Sequence, residues 1–270
     1  MRLSSAIRIL ADAGIEEAET EARLIFEQLG GIPRYKQLMG DPAADDARIK
    51  DALDRRVRRE PLAYILGEVA FFRERYRVTR DVLIPRADTE ILVEQAIKLL
   101  PRGARFADFC TGSGCVAISV LAARPDCTAL CFDVSKKALA VAKENAERNG
   151  VSSRIECRSA DLLTETVELG NVRFILSNPP YISKSEMETL APELLFEPRI
   201  ALQAADHGLV FYDTFLSRYA DALRDGGFFL FEIGAYQAEA VTALAERVGY
   251  RTHLTLDLEN RARVLHCASH

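Results

Sequence analysis

The spacing of apolar residues changes twice along this chain. In the first 60 residues it is helical: "EEAETEARLIFEQLGG" puts Ala18, Ala22, Ile25 and Leu29 on one face and stops at Gly30-Gly31. A further helix is predicted from about 43 to 60, ending before Pro61. From about 67 to 85, "EVAFFRERYRVTRDVLIP" mixes β-branched and aromatic residues with charges, which predicts a short hairpin or linker. "RADTEILVEQAIKLL" then opens a helix, with Asp88 or Thr89 as the candidate cap.

After Pro101 short apolar runs alternate with helical stretches. "ARFADFC" precedes "GCVAISVLAARP", "CTALCFD" precedes "SKKALAVAKENAERNG", and "SRIECRSAD" and "VRFILSN" follow. Later come "LVFYDTFLSRYADALRDG", "GFFLFEIG", "AYQAEAVTALAERVG" and two closing strands near 250–257 and 262–268. Such alternation predicts an α/β fold: a doubly wound, mostly parallel sheet with helices on both faces, preceded by a small helical domain. Ligands of such sheets sit at the carboxyl ends of the strands, so the residues that follow strands carry the information.

Composition narrows the class. The 270 residues are 49% apolar and 28% charged, as in a soluble globular protein, and suffice for a catalytic domain plus a small second one. The leading bundle of about 70 residues would be marginal alone and is expected to lean on the rest. A net charge of −5 argues against wholesale attraction to nucleic acid. Arginines cluster from Arg55 to Arg86, a pattern expected of a solvated face and ion pairs. No apolar run approaches the roughly 20 residues of a membrane span, and the N-terminus fits neither a signal nor a transit peptide. Six cysteines without C-x-x-C pairs read as free thiols in a reducing cytoplasm; with four scattered histidines they suggest no metal site.

Chemistry gathers at the strand ends. In "DFCTGSGC" (108–115), Gly112 and Gly114 permit a sharp turn and close approach of a ligand to the amides of the helix start. Asp133, nineteen residues past Gly114, ends the next strand, where a carboxylate can take both hydroxyls of a ribose. Together these point to an adenosine-containing cofactor. "GSGCVA" also fits the dinucleotide fingerprint, which keeps a dehydrogenase in play. Asp108 before the glycines would repel a pyrophosphate, however, and Asp161 in "RSADLL" suits an adenine amino group. Acids after three successive strands match the cationic S-adenosyl-L-methionine better.

After the fourth of these strands comes "SNPPYI" (177–182). Pro179 and Pro180 restrict the backbone and offer no N–H. The Asn178 side-chain oxygen and the Pro179 carbonyl can therefore converge on a planar NH2 group, with Tyr181 as a flat wall. Orienting a poor amide or aromatic amine nucleophile can lower a barrier by about 7–11 kcal/mol without a strong base.

"LIPRADTE" (83–90), "DFCTGSG" (108–114), "SNPPYI" (177–182), "FEPRIAL" (196–202) and "FEIGAYQ" (231–237), in this order behind a helical domain, resemble the HemK/PrmC-type protein-glutamine methyltransferases. The resemblance covers essentially the whole chain and implies a Rossmann-like methyltransferase fold whose sheet ends in an antiparallel closing strand. It implies N5-methylation of the glutamine in the GGQ motif of peptide chain release factors, with S-adenosyl-L-methionine as methyl donor. It also implies roles for particular residues. Cys110, Thr111, Gly112, Ser113 and Gly114 would hold the methionine end, Asp133 the ribose, and Asp161 with Leu162 the adenine, with Asp108 and Asn178 also at the cofactor. Asn178, Pro179, Pro180 and Tyr181 would receive the glutamine amide, and Arg86 would help close the site. Residues 1–66 would be a docking bundle, 67–86 a hairpin or linker, and 87–270 the methyltransferase domain of a monomer. The family commonly has glycine at the position of Cys110 and sometimes an aromatic at that of Leu162. Two other readings compete: a DNA adenine amino-methyltransferase, disfavoured by the acidic charge and the lack of a target-recognition insertion, and a non-catalytic binder of translation factors.

Overall fold

The structure, a computed structural model, describes residues 1–223 and 225–269; His270, one of the four scattered histidines, and Arg224 lie outside the described residues. The helical period of the first 60 residues becomes α1 (Leu3–Asp12), α2 (Ala18–Gln28), α3 (Arg34–Leu38), α4 (Ala47–Val57) and α5 (Leu62–Leu66). The α4 helix is shorter than the predicted 43–60 because Asp46 caps it, accepting from Arg48 N at 2.8 Å. Leu10, Ile25, Phe26, Ile49 and Leu53 bury one apolar face from each long helix in a common core. Met1–Glu68 forms one compact unit together with Ala191–Phe196. Within this unit Glu193 accepts from Arg56 at 3.1 Å and Arg59 at 3.2 Å.

The second unit holds Val69–Leu190 and the chain from Glu197 onward. The predicted hairpin is β1 (Glu68–Phe71) and β2 (Glu74–Arg77). Tyr76 is buried, with its hydroxyl 2.6 Å from Ser119 Oγ, and Arg77 N donates to Asn145 Oδ1 at 2.7 Å. Then α6 (Thr89–Leu99) leads to β3 (Arg105–Phe109), α7 (Cys115–Ala123), β4 (Thr128–Asp133), α8 (Lys136–Arg148), β5 (Ile155–Ser159) and β6 (Phe174–Ser177). After a stretch of short 3-10 turns come α9 (Val210–Tyr219), β7 (Phe228–Glu232), α10 (Ala238–Arg247), β8 (Arg251–Leu256) and β9 (Ala262–Ala268).

The seven-stranded sheet has the order β5-β4-β3-β6-β7-β9-β8. Its first five strands run parallel and β9 is antiparallel to both neighbours. Helices cover both faces, so the central strands are apolar on both sides: Phe109, Phe215 and Phe231 pack on one face, Phe106, Val116 and Leu230 on the other. Each buried ring or branched chain contributes roughly 1.5–3 kcal/mol. Connections leave β3 and β6 in opposite directions, and the crevice beyond that switch point is where this architecture receives ligands.

Asp88 takes the N-cap position of α6 but makes no capping hydrogen bond. Its carboxylate lies instead 3.2 Å from the buried Arg263, a stronger partner than a backbone amide. The arginine cluster is largely neutralised: Arg55 pairs with Glu60, Arg56 with Glu21, Arg77 with Glu144 and Arg86 with Glu197.

Candidate active site

The strand ends above the switch point carry the residues singled out from the sequence. Asp108 lies within β3, between Cys131 of β4 and Leu176 of β6, and is 1% exposed. Its carboxylate accepts from Thr111 Oγ1 at 2.6 Å, and no lysine or arginine among the described residues pairs with it. Burial therefore raises its pKa to about 7, and the nearby Asp133 adds to the rise.

The turn that follows is wound by positive φ angles at Cys110 (60°), Gly112 (54°) and Gly114 (81°). Cys110 thus stands in a conformation that favours glycine, which accounts for glycine at this position in the resembling family. The two glycines serve different ends. A Cβ on Gly112 would meet nothing within 4 Å, so its bare backbone faces open space. A Cβ on Gly114 would come within 2.9 Å of Ile118 Cδ1 and 3.2 Å of Ala142 Cβ, so its bareness lets α7 pack against α8.

Asp133 closes β4 and ties the turn down, its Oδ2 accepting from Gly112 N at 2.9 Å and its Oδ1 from Ser135 N at 2.8 Å. Burial raises its pKa, with these amides pulling the other way. Asp161, two residues beyond β5, accepts from Leu163 N at 3.0 Å and Thr164 Oγ1 at 2.9 Å, one lone pair of each oxygen remaining for a ligand. Cys110, Gly112, Asp133, Asp161, Leu162, Asn178 and Pro180 line one cleft of ≈ 250 Å³, walled further by Val134, Ile200 and Phe211. Asp108, Thr111 and Ser113 line a narrower recess of ≈ 40 Å³ beside it, shared with Asn178, Thr89 and Arg86. Gly114, Pro179 and Tyr181 line neither.

Asn178 follows β6 directly, its Nδ2 donating to Thr89 Oγ1 at 3.1 Å. Its Oδ1 receives no donor among the described residues and remains an available acceptor. Tyr181 is held through its main chain: Gln237 Nε2 donates to its carbonyl at 3.1 Å while Gln237 Oε1 accepts from Gly234 N at 3.0 Å. Gly208 presses on the same carbonyl, where a Cβ would stand 2.1 Å from the oxygen. Asp206, His207 and Gly208 all have positive φ, at 51°, 50° and 86°. Burial pushes the Tyr181 hydroxyl up to about 12, so it stays protonated at neutral pH.

Three contributors went unassigned in the sequence. Thr89 anchors Asn178, Gln237 anchors Tyr181, and Glu197 joins two motifs by accepting from Ile84 N at 3.0 Å and pairing with Arg86. Each lies inside a quoted motif, but its partner is dozens of residues away, and only the fold reveals the pairing.

Residues 87–225 match the methyltransferase small domain family and residues 3–67 the PrmC N-terminal domain. The release factor glutamine methyltransferase of Cereibacter sphaeroides is 43% identical, the match covering 97% of this chain and 95% of that protein. The protein of the same name from Caulobacter vibrioides is 37% identical over 95% of this chain and 91% of its own length. A methyltransferase from Pyrococcus furiosus shares the fold at 17% identity, with a TM-score of 0.54 over 72% of this chain and 87% of that one. With such identity to named relatives along nearly its whole length, the chain belongs to the release factor glutamine methyltransferase family.

Proposed function

We propose that this enzyme methylates the side-chain amide nitrogen (N5) of the glutamine in the GGQ motif of peptide chain release factors, using S-adenosyl-L-methionine. The observation that carries the reading is Asn178. Its amide nitrogen is spent on Thr89, so its oxygen is left to accept a hydrogen bond at the edge of the cleft. A free acceptor there selects a substrate that brings an N–H, as a carboxamide does and a hydroxyl-free carbonyl does not.

The cleft's chemistry suits the methyl donor. Asp108 is a buried carboxylate without a cation, matched to a positively charged amino or sulfonium group. Gly112 leaves room beside it, Asp133 and Asp161 offer acceptors for ribose and adenine, and Leu162, Val134 and Phe211 give apolar walls. When bound, the donor supplies an electrophilic methyl group. The protein's own part is placement: Asn178 Oδ1 and the Pro179 carbonyl hold the amide N–H groups, and Tyr181 packs beside them. Two acceptors on one planar nitrogen turn its lone pair out of conjugation, and orientation of this kind supplies several kcal/mol of barrier reduction. After transfer the nitrogen is strongly acidic, so its proton leaves without a dedicated base.

The helical unit is assigned to docking the intact release factor, with the flexible glutamine loop reaching the cleft. No helix among the described residues is long and apolar enough to cross a membrane, and the six cysteines are unbridged, in keeping with a reducing cytoplasm. Ion pairs at Arg55, Arg56, Arg77 and Arg86 speak against the arginine cluster as a surface for DNA.

The test is transfer of labelled methyl from S-adenosyl-L-methionine to purified release factor, with a Gln→Asn variant of its GGQ motif and plasmid DNA alongside. Label on the wild-type factor alone is expected. Label on DNA, or on neither despite cofactor binding, would overturn the reading.

A further inference from the structure

Glu232 has no place in the chemistry so far. It ends β7, whose Phe231 is in register with Ser177, so it stands on the strand end next to Asn178. It is 1% exposed, and its Oε2 finds no hydrogen-bond partner among the described residues. A purely structural role would be served better by leucine, since an ionised carboxylate in such a place costs stability. The Thr89 hydroxyl accepts from Asn178 Nδ2 at 3.1 Å and lies beside the Glu232 carboxylate, whose ionised form it favours. Thr89 is itself 2% exposed, so water does not compete for its hydroxyl.

A hydroxyl has one proton, and here its destination decides how the asparagine sits. With Glu232 ionised, Thr89 gives its proton to the carboxylate, and its oxygen can then only accept. Asn178 must turn its NH2 to Thr89 and its Oδ1 to the cleft. With Glu232 protonated, the order can reverse: the carboxyl donates to Thr89, Thr89 donates to Asn178 Oδ1, and the asparagine NH2 faces the substrate. Two NH2 groups cannot satisfy each other. We propose that Glu232 is a positioning residue which, through Thr89, fixes the orientation of the Asn178 amide and thereby makes the site selective for a substrate that donates an N–H. The inference rests on the proposed amide methylation.

The surroundings keep Glu232 poised between its two states. Burial pushes its pKa up to about 7, with Asp88 before α6 adding to the rise, while Thr89, Arg263 of β9 and Arg86 oppose it. The other titratable groups facing it are Tyr181 after β6, Tyr212 of α9 and Cys115 of α7, whose own values lie well above neutral. Tyr212 donates its hydroxyl to the Glu232 carbonyl at 2.8 Å, fixing the backbone under the carboxylate. The ordering that suits the substrate is therefore complete above neutral pH and lost as pH falls through about 7.

The variants are Glu232→Met, which keeps volume and removes the acceptor, Thr89→Val, Thr89→Ser, and the Met/Val double. Methyl transfer to release factor is measured against pH, with S-adenosyl-L-methionine affinity and Tm alongside. Glu232→Met and Thr89→Val are each expected to lower kcat/KM about 10–100-fold, the double no further, and Thr89→Ser to restore most of it. Cofactor affinity should hold within about twofold, since the change lies on the substrate side. The acid limb of the wild-type profile near pH 7 should vanish in Glu232→Met, and Tm should not fall. A second arm needs no catalysis: the Glu232 carboxyl is titrated by NMR in wild type and in Thr89→Val, where its midpoint should move up. Additive losses, wild-type kcat/KM in Glu232→Met, or an unmoved midpoint would overturn the proposal. If Glu232→Met does not fold, the Thr89 pair and the titration decide. A wild-type enzyme that transfers no methyl sinks the functional reading, and the titration still decides whether Glu232 and Thr89 are coupled.

Discussion

Asp108→Asn separates stability from binding. Asp108 is 1% exposed, accepts one side-chain hydrogen bond at 2.6 Å, and has its pKa raised by burial from 3.8 to about 7. The folded protein thus holds a proton there more tightly than the unfolded chain between those two values. Stability contributed by this group falls as pH rises through that window and is flat above it. Each pH unit is worth 1.36 kcal/mol, so the ionised carboxylate costs the ligand-free protein up to about 4 kcal/mol at pH 8 and little near pH 4. Asparagine keeps the shape and the bond to Thr111 without the charge. The variant should therefore be more stable than wild type by about 1–4 kcal/mol at pH 8, with the gain shrinking toward pH 4. Its affinity for S-adenosyl-L-methionine should move the other way, by the about 1.5–3 kcal/mol of a hydrogen bond to a charged group, or roughly 10–150-fold. Urea denaturation across that pH range and calorimetric titration of the cofactor at pH 8 read both quantities. A variant that binds as tightly as wild type, or is less stable at pH 8, would refute a carboxylate held in waiting for a cation.

Two further substitutions probe the backbone around the cleft. Gly208→Ala forces a Cβ to within 2.1 Å of the Tyr181 carbonyl oxygen at a φ of +86°, so kcat on release factor should drop about 100-fold while cofactor affinity holds; steady-state kinetics and calorimetry check this. Cys110→Gly exchanges side-chain strain at φ 60° for greater freedom of the unfolded chain, so urea unfolding should change by less than about 1 kcal/mol and cofactor affinity should not change.

Much of the fold was legible because its central strands are buried on both faces. Runs such as "ARFADFC", "CTALCFD" and "GFFLFEIG" stand out against amphipathic helices, and β3, β4 and β7 form where they lie. The region from about 184 to 209 was not legible. It folds as short 3-10 turns without a sustained period, and part of it, Ala191–Phe196, joins the helical unit through Glu193 and arginines more than 130 residues away. The capping role expected of Asp88 failed for the same reason: its partner, Arg263, comes from the far end of the chain.

The site was legible where one motif does one thing, and obscure where motifs act on each other. Spacing alone led to Asp108, the glycine turn, Asp133, Asp161 and Asn178, because each stands at or just past the carboxyl end of a strand. Thr89, Gln237, Glu197 and Glu232 matter through what they hold, and nothing local marks a residue as a holder. Physical traits mark further residues around the site once the fold is known. Asp108 and Glu232 are buried carboxylates with raised pKa values, and Cys110, Asp206 and His207 adopt a backbone conformation that side chains disfavour. All lie in or beside the cleft, at the strand ends or in the loop packed on Tyr181. Desolvated charge and positive φ each cost the fold on the order of 1–3 kcal/mol or more, which selection for stability alone would have removed. Buried carboxylates at the ends of two strands flanking the NPPY turn are what an enzyme needs if it orders a weak nucleophile by fixed acceptors instead of activating it with a strong base.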